Sequence, residues 1–90
     1  NVGGEVATAV AELLSKLGAS QQVFCITHLP QVASKANFHL VVRKSSDKSS
    51  TSVTIEAISD SHKRLEELAR MLGDRNAATA LEHAKALLGK

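Results

Sequence analysis

The segment Gln22-Val23-Phe24-Cys25-Ile26-Thr27-His28-Leu29-Pro30-Gln31-Val32-Ala33 carries two structural signals. Gln22 to Thr27 is a short, nearly continuous apolar run rich in β-formers. A run without polar alternation predicts a strand covered on both faces, as in a parallel sheet. His28-Leu29-Pro30 then breaks the run. Pro30 suits the first turn of a helix, where no amide donor is needed. Gln31 to Ala36 is long enough for about two helical turns. A polar residue, His28, therefore stands at the carboxyl end of an expected buried strand.

Upstream, Val6, Val10, Leu13, Leu14 and Leu17 make one apolar face at helical spacing. Gly3-Gly4 before them predicts a tight turn feeding the helix, and Gly18 after them a left-handed stop. Downstream, Phe38–Lys44 and Thr51–Ile58 are two further strand candidates. On the second, Val53, Ile55 and Ala57 fall on one face and Thr54, Glu56 and Ile58 on the other. The polar stretch Ser45 to Ser50 predicts an exposed hairpin loop, so the pair forms an antiparallel ribbon. Asp60 or Ser61 can cap a helix buried along Leu65, Leu68, Ala69 and Leu72 and stopped by Gly73. Lys63/Glu67 and Glu66/Arg70 are spaced as ion pairs on its wet side. Asn76 can cap a last helix with Ala77, Leu81, Ala84, Leu87 and Leu88 apolar.

The expected fold is α/β in the order α-β-α-β-β-α-α. A strand buried on both faces needs parallel neighbours, and the chain supplies only an edge hairpin. Residues 1–90 are thus expected to be a single partial domain, part of a larger α/β unit.

Composition narrows the function. Ninety residues suffice for one small domain. Aromatics are 2%, with two Phe and neither Tyr nor Trp, which argues against base-stacking and sugar-binding platforms. Eleven Lys and Arg against nine Asp and Glu leave +2, too little for a nucleic-acid footprint. The single cysteine, Cys25, excludes an intramolecular disulfide and sits in an apolar run that predicts a buried, inert thiol. No apolar run approaches the roughly 20 residues of a membrane span. No secretory signal is visible, so a reducing cytoplasmic setting is expected.

His28 is the first candidate for chemistry. In open α/β sheets ligands sit at the carboxyl ends of strands, and a histidine there can move a proton or hydrogen-bond a phosphate. The plainer reading is a histidine that closes the strand or caps the next helix. His39, His62 and His83 lack metal-ligand spacing and are expected to be solvated surface. The Gly3 and Gly4 amides precede a helix and could meet an anion, although turn geometry alone explains the pair. Arg43, Lys44 and Lys48 cluster at the hairpin, as a solvated loop or as a phosphate-backbone contact in a larger assembly.

Three blocks together resemble the bacterial RecN family of SMC-like ABC ATPases. They are Thr27-His28-Leu29-Pro30-Gln31-Val32-Ala33, the run Gly3 to Leu14, and Arg64-Leu65-Glu66-Glu67-Leu68-Ala69-Arg70-Met71-Leu72-Gly73. The resemblance spans essentially the whole chain, as the C-terminal lobe of the ATPase head. It implies a P-loop ATPase fold whose P-loop, signature motif and Walker B pair lie upstream. It implies that His28 is the switch histidine, near the γ-phosphate and the attacking water. Asn1, Gly3 and Gly4 would be the tail of the D-loop, which faces a second head across the nucleotide. The implied partners are the rest of the head, a second head and DNA, with ATP and Mg in the parent and no membrane. The implied setting is nucleoid-associated, in double-strand-break repair and recombination. Alone, this chain is expected to bind no nucleotide and hydrolyse none. Two other readings are a non-catalytic interaction or oligomerisation module using exposed sheet surface, and a small basic DNA-binding module.

Overall fold

The twelve-residue segment that opens the reading contains no strand. The structure, a computed structural model, describes residues 2–73 and 77–89. Its elements are α1 (Val2–Gly18), α2 (Pro30–Ala33), β1 (His39–Ser46), β2 (Thr51–Ile58), α3 (Ser61–Leu72) and α4 (Ala77–Leu87). The order is α-α-β-β-α-α, mixed helix and strand, with one two-stranded antiparallel sheet.

Residues 22–27 have the composition of a buried strand and the environment of an open loop. Strand hydrogen bonds run between segments, so β-formers make a strand only beside a partner. Among the described residues none pairs with 22–27. Phe24 stays 79% exposed, Ile26 is fully exposed, and Cys25 is exposed rather than buried.

The first helix also departs from expectation. Gly3 and Gly4 lie inside α1 rather than in a turn before it. Glycine costs about 1 kcal/mol relative to alanine in a helix, a cost the long Ala-rich run behind it can absorb. Gly18 is not left-handed; the chain leaves α1 through turns closed by Ala19 and Gln21 amides on the Lys16 and Leu17 carbonyls. The expected apolar face, Val6, Val10, Leu13 and Leu17, is exposed, and Leu14 is half-buried. The covered edge is Ala7 and Ala11, one turn apart, where α1 meets α2.

The hairpin agrees closely with its pattern. β1 and β2 pair from His39↔Ile58 to Ser46↔Thr51 around a loop of residues 47–50. Asp47 organises the loop: its Oδ1 accepts the amides of Ser49 and Ser50, both at 2.8 Å. These amides hold the Asp47 carboxyl below the usual carboxylate range. One face of the ribbon carries His39 and Val41, both buried, with half-buried Ile58. The other carries Leu40, Val42, Val53 and Ile55, all exposed.

α3 starts where Asp60 Oδ1 accepts the amides of His62 (2.7 Å) and Lys63 (3.2 Å), and stops at Gly73 with φ 67°. These bonds also depress the Asp60 pKa. α3 packs on α4, and the core is Ala33, Leu68 and Ala84, bordered by Leu65, Ala69, Met71, Leu72 and Leu88. Burying Leu68 contributes roughly 1.5–3 kcal/mol. The expected pairs Lys63/Glu67 and Glu66/Arg70 do not form. Glu67 is buried and pairs with Arg70, while His62 meets Glu66 at 3.7 Å. Asn1 and Asn76 lie outside the described residues. Among the described residues no helix is long and apolar enough to cross a membrane.

Candidate functional site

His28 is exposed, in the bend between the unpaired segment 22–27 and α2. Two local devices fix its backbone. The Leu29 amide donates to Thr27 Oγ1 at 2.9 Å, which closes a small turn around His28. Pro30 then starts α2 with no amide left to satisfy, and Leu29 serves as the N-cap without a side-chain bond. The Leu29 carbonyl accepts the Val32 and Ala33 amides, both at 3.1 Å. His28 is thus held from its C-terminal side by a single helical turn.

That turn is the most connected element for its size. α2 touches α1, α3 and α4, and Pro30 and Ala33 are buried. Its carbonyl end is gripped by Arg64 from the first turn of α3. Arg64 Nη2 donates to the carbonyl oxygens of Ala33 (3.3 Å), Ser34 (3.1 Å) and Ala36 (2.6 Å). The Ala33 carbonyl also accepts the Ala36 amide at 3.2 Å, and a cation suits the negative end of a helix.

Behind this contact lies a charged cluster. His39 is buried on β1, with its pKa lowered by burial and by the Arg64 charge, against a smaller pull from Glu67. His39 Nδ1 and Arg64 Nε are both buried without a hydrogen-bond partner among the described residues. Burial also lowers the Arg64 pKa. Arg70 Nε donates to both Glu67 oxygens, at 2.6 and 3.0 Å, and the carboxylate raises the Arg70 pKa.

The candidate residues are only partly brought together. Gly4 shares an open depression with Gln31 of α2. Gly4, Glu5, Thr8, Gln31, His83 and Leu87 line this depression of about 480 Å³. Gly3 and Gly4 sit within the helix, and Gly4 carbonyl accepts from Thr8 Oγ1 at 3.0 Å. Arg43 pairs with Glu56 at 3.4 Å on the exposed ribbon, leaving less of a basic cluster than the sequence suggests. His62 and His83 are exposed as expected; His39 is not. Among the described residues no group of three or more His, Cys, Asp or Glu could hold a metal ion.

No family model matches this chain. Individual relatives do. The DNA repair protein RecN of Treponema pallidum is 44% identical over 88 residues, covering 97% of this chain and 15% of its own length. The same protein of Rickettsia felis is 46% identical over 88 residues, covering 97% of this chain and 16% of its own. That of Deinococcus radiodurans is 42% identical over 87 residues, at 97% and 15%. The chain belongs to the RecN family. It spans about 15% of the length of these curated relatives.

Arg64 and Glu67 escape a reading by hydropathy because they are charged. Their signal is positional: Arg64 lies four residues before Leu68 and Glu67 three residues after Arg64, so both fall toward the covered side of α3.

Proposed function

We propose that this chain is the C-terminal part of an SMC-like ATP hydrolase acting in DNA double-strand-break repair and recombination. Its His28 would serve as the switch histidine at the interface of two heads. The observation that carries the reading is the RecN likeness over 97% of the chain, with relatives named as DNA repair proteins. An exposed histidine on a bend buttressed by α2 suits a group that hydrogen-bonds developing phosphoryl charge.

The chain's own residues do not build a nucleotide site. It has no G-x-x-x-x-G-K-[ST] run, and no carboxylate cluster for Mg²⁺ among the described residues. In this reading ATP and Mg²⁺ are held by P-loop, signature and Walker B residues elsewhere in the parent. Asn1, Gly3 and Gly4 would form the tail of the D-loop, facing the second head. His28 supplies a hydrogen bond to the γ-phosphate region, aimed by the Thr27–Leu29 turn and by α2. The exposed apolar residues of 22–27 and of the hairpin then pack on the remainder of the head. DNA is engaged through the parent, and the setting is the nucleoid.

Calorimetry tests the division of labour. The 90-residue chain should bind ATP no better than roughly millimolar, while the full-length protein binds it far more tightly. Micromolar binding by the short chain would contradict the reading. The exposed apolar surface favours one second reading, a non-catalytic interaction module. A full-length protein without ATP turnover would favour it.

A further inference from the structure

We infer that Arg64 is a positioning residue for His28, acting as a clamp on the far end of α2. The inference rests on the reading of His28 given above. It starts from three distances: Arg64 Nη2 lies 3.3, 3.1 and 2.6 Å from the carbonyl oxygens of Ala33, Ser34 and Ala36. One nitrogen thus gathers the three carbonyls that end α2 and begin its exit. α2 is four residues long, so its two ends are about 6 Å apart. An element that short cannot hold its own axis by internal hydrogen bonds. Its direction is set by what grips it.

The grip at the His28 end comes from its own sequence neighbours, through the Thr27–Leu29 turn. Leu29 caps without a side-chain bond, and residues 22–27 form no ladder. At the other end Arg64 is itself fixed. Its amide donates to the Asp60 carbonyl at 3.0 Å, in the first turn of a helix that Asp60 caps. Arg64 stands one helical turn before the buried Leu68 on α3. Rotation of α2 about its buried Pro30 and Ala33 would swing Leu29 and His28 together. Releasing the three carbonyls therefore costs aim at His28 before it costs the fold. A lysine keeps the charge and offers three N–H donors to the same carbonyls, whereas methionine offers only the stem.

The test is steady-state ATP turnover by the full-length protein carrying Arg64→Met, Arg64→Lys, His28→Ala and the Arg64→Met/His28→Ala pair. Arg64→Met should lower kcat by about 10- to 100-fold, within the range for misplacing a catalytic group. KM for ATP should stay within about twofold, because the P-loop holds the nucleotide. Arg64→Lys should recover most of the loss. The double variant should be no slower than His28→Ala alone, since a clamp has nothing left to aim. Should Arg64→Met not fold, Arg64→Gln replaces it with the same expected split. Wild-type kcat in that variant, a rise in KM matching the fall in kcat, or losses that multiply with His28→Ala would overturn the clamp. If His28→Ala is slow while the Arg64 variants are not, the clamp fails and the His28 reading stands. If His28→Ala turns over at the wild-type rate, both fall.

Discussion

The imidazole of His39 is enclosed on β1 and faces two charged groups of α3, Arg64 and Glu67. Burial and the Arg64 charge hold its pKa below the ordinary value of about 6.5. The folded protein thus takes up the proton less readily than the unfolded chain. Stability present above about pH 6.5 is lost as pH falls through that value toward the lower folded pKa. Melting of the full-length protein should drop as pH falls below about 6.5, and His39→Asn should flatten this slope. Equal slopes in both proteins would show that another group titrates. At the centre of the core, Leu68 is wholly buried. Leu68→Ala should cost about 2–5 kcal/mol, read from denaturant unfolding. A loss below about 1 kcal/mol would mean that the α3–α4 core collapses into the cavity.

At the scale of elements, α3 is bounded by two local signals. Asp60 caps it, and Gly73 closes it at φ 67° with nothing among the described residues within 4 Å of a would-be Cβ. Gly73→Ala should therefore cost only the backbone penalty of the left-handed region, about 1–2 kcal/mol, in thermal unfolding. A larger cost would require a neighbour that closes on the new methyl. Both signals were legible from residue type alone, as was β2, whose bounds match the alternation of Thr51–Ile58. The unread elements share a different physics. Gly3 and Gly4 are helical because propagation from the Ala-rich run outweighs glycine's preference. Residues 22–27 carry strand composition, but a strand needs a partner that none of the described residues provides. The break in the chain at His28 was legible because Pro30 writes a helix start locally, but the buried strand expected to end there did not form. Arg64 was not legible, because its partners lie about 30 residues away and polarity hid its burial.

Across the whole molecule, apolar surface exceeds what the small core can cover. Phe24, Ile26, Phe38, Val42 and Ile55 are each more than 60% exposed, while the buried cluster is Ala33, Leu68 and Ala84. Exposed apolar area on that scale marks a binding face. The isolated 90-residue chain should bind a hydrophobic dye or sediment as a concentration-dependent oligomer. A dye-negative monomer would show that the face is closed by rearrangement within the chain.

In the proposed reading, His28 acts on the phosphoryl group of ATP from the bend between residues 22–27 and α2. The direct measurement is single-turnover ATP hydrolysis by the full-length protein with and without His28→Ala, alongside nucleotide affinity and melting temperature. The account predicts unchanged ATP affinity, a melting temperature within a few degrees of wild type, and hydrolysis slower by about one to three orders of magnitude, the scale for losing one positioned transition-state donor. Hydrolysis at the wild-type rate by the folded variant would contradict it.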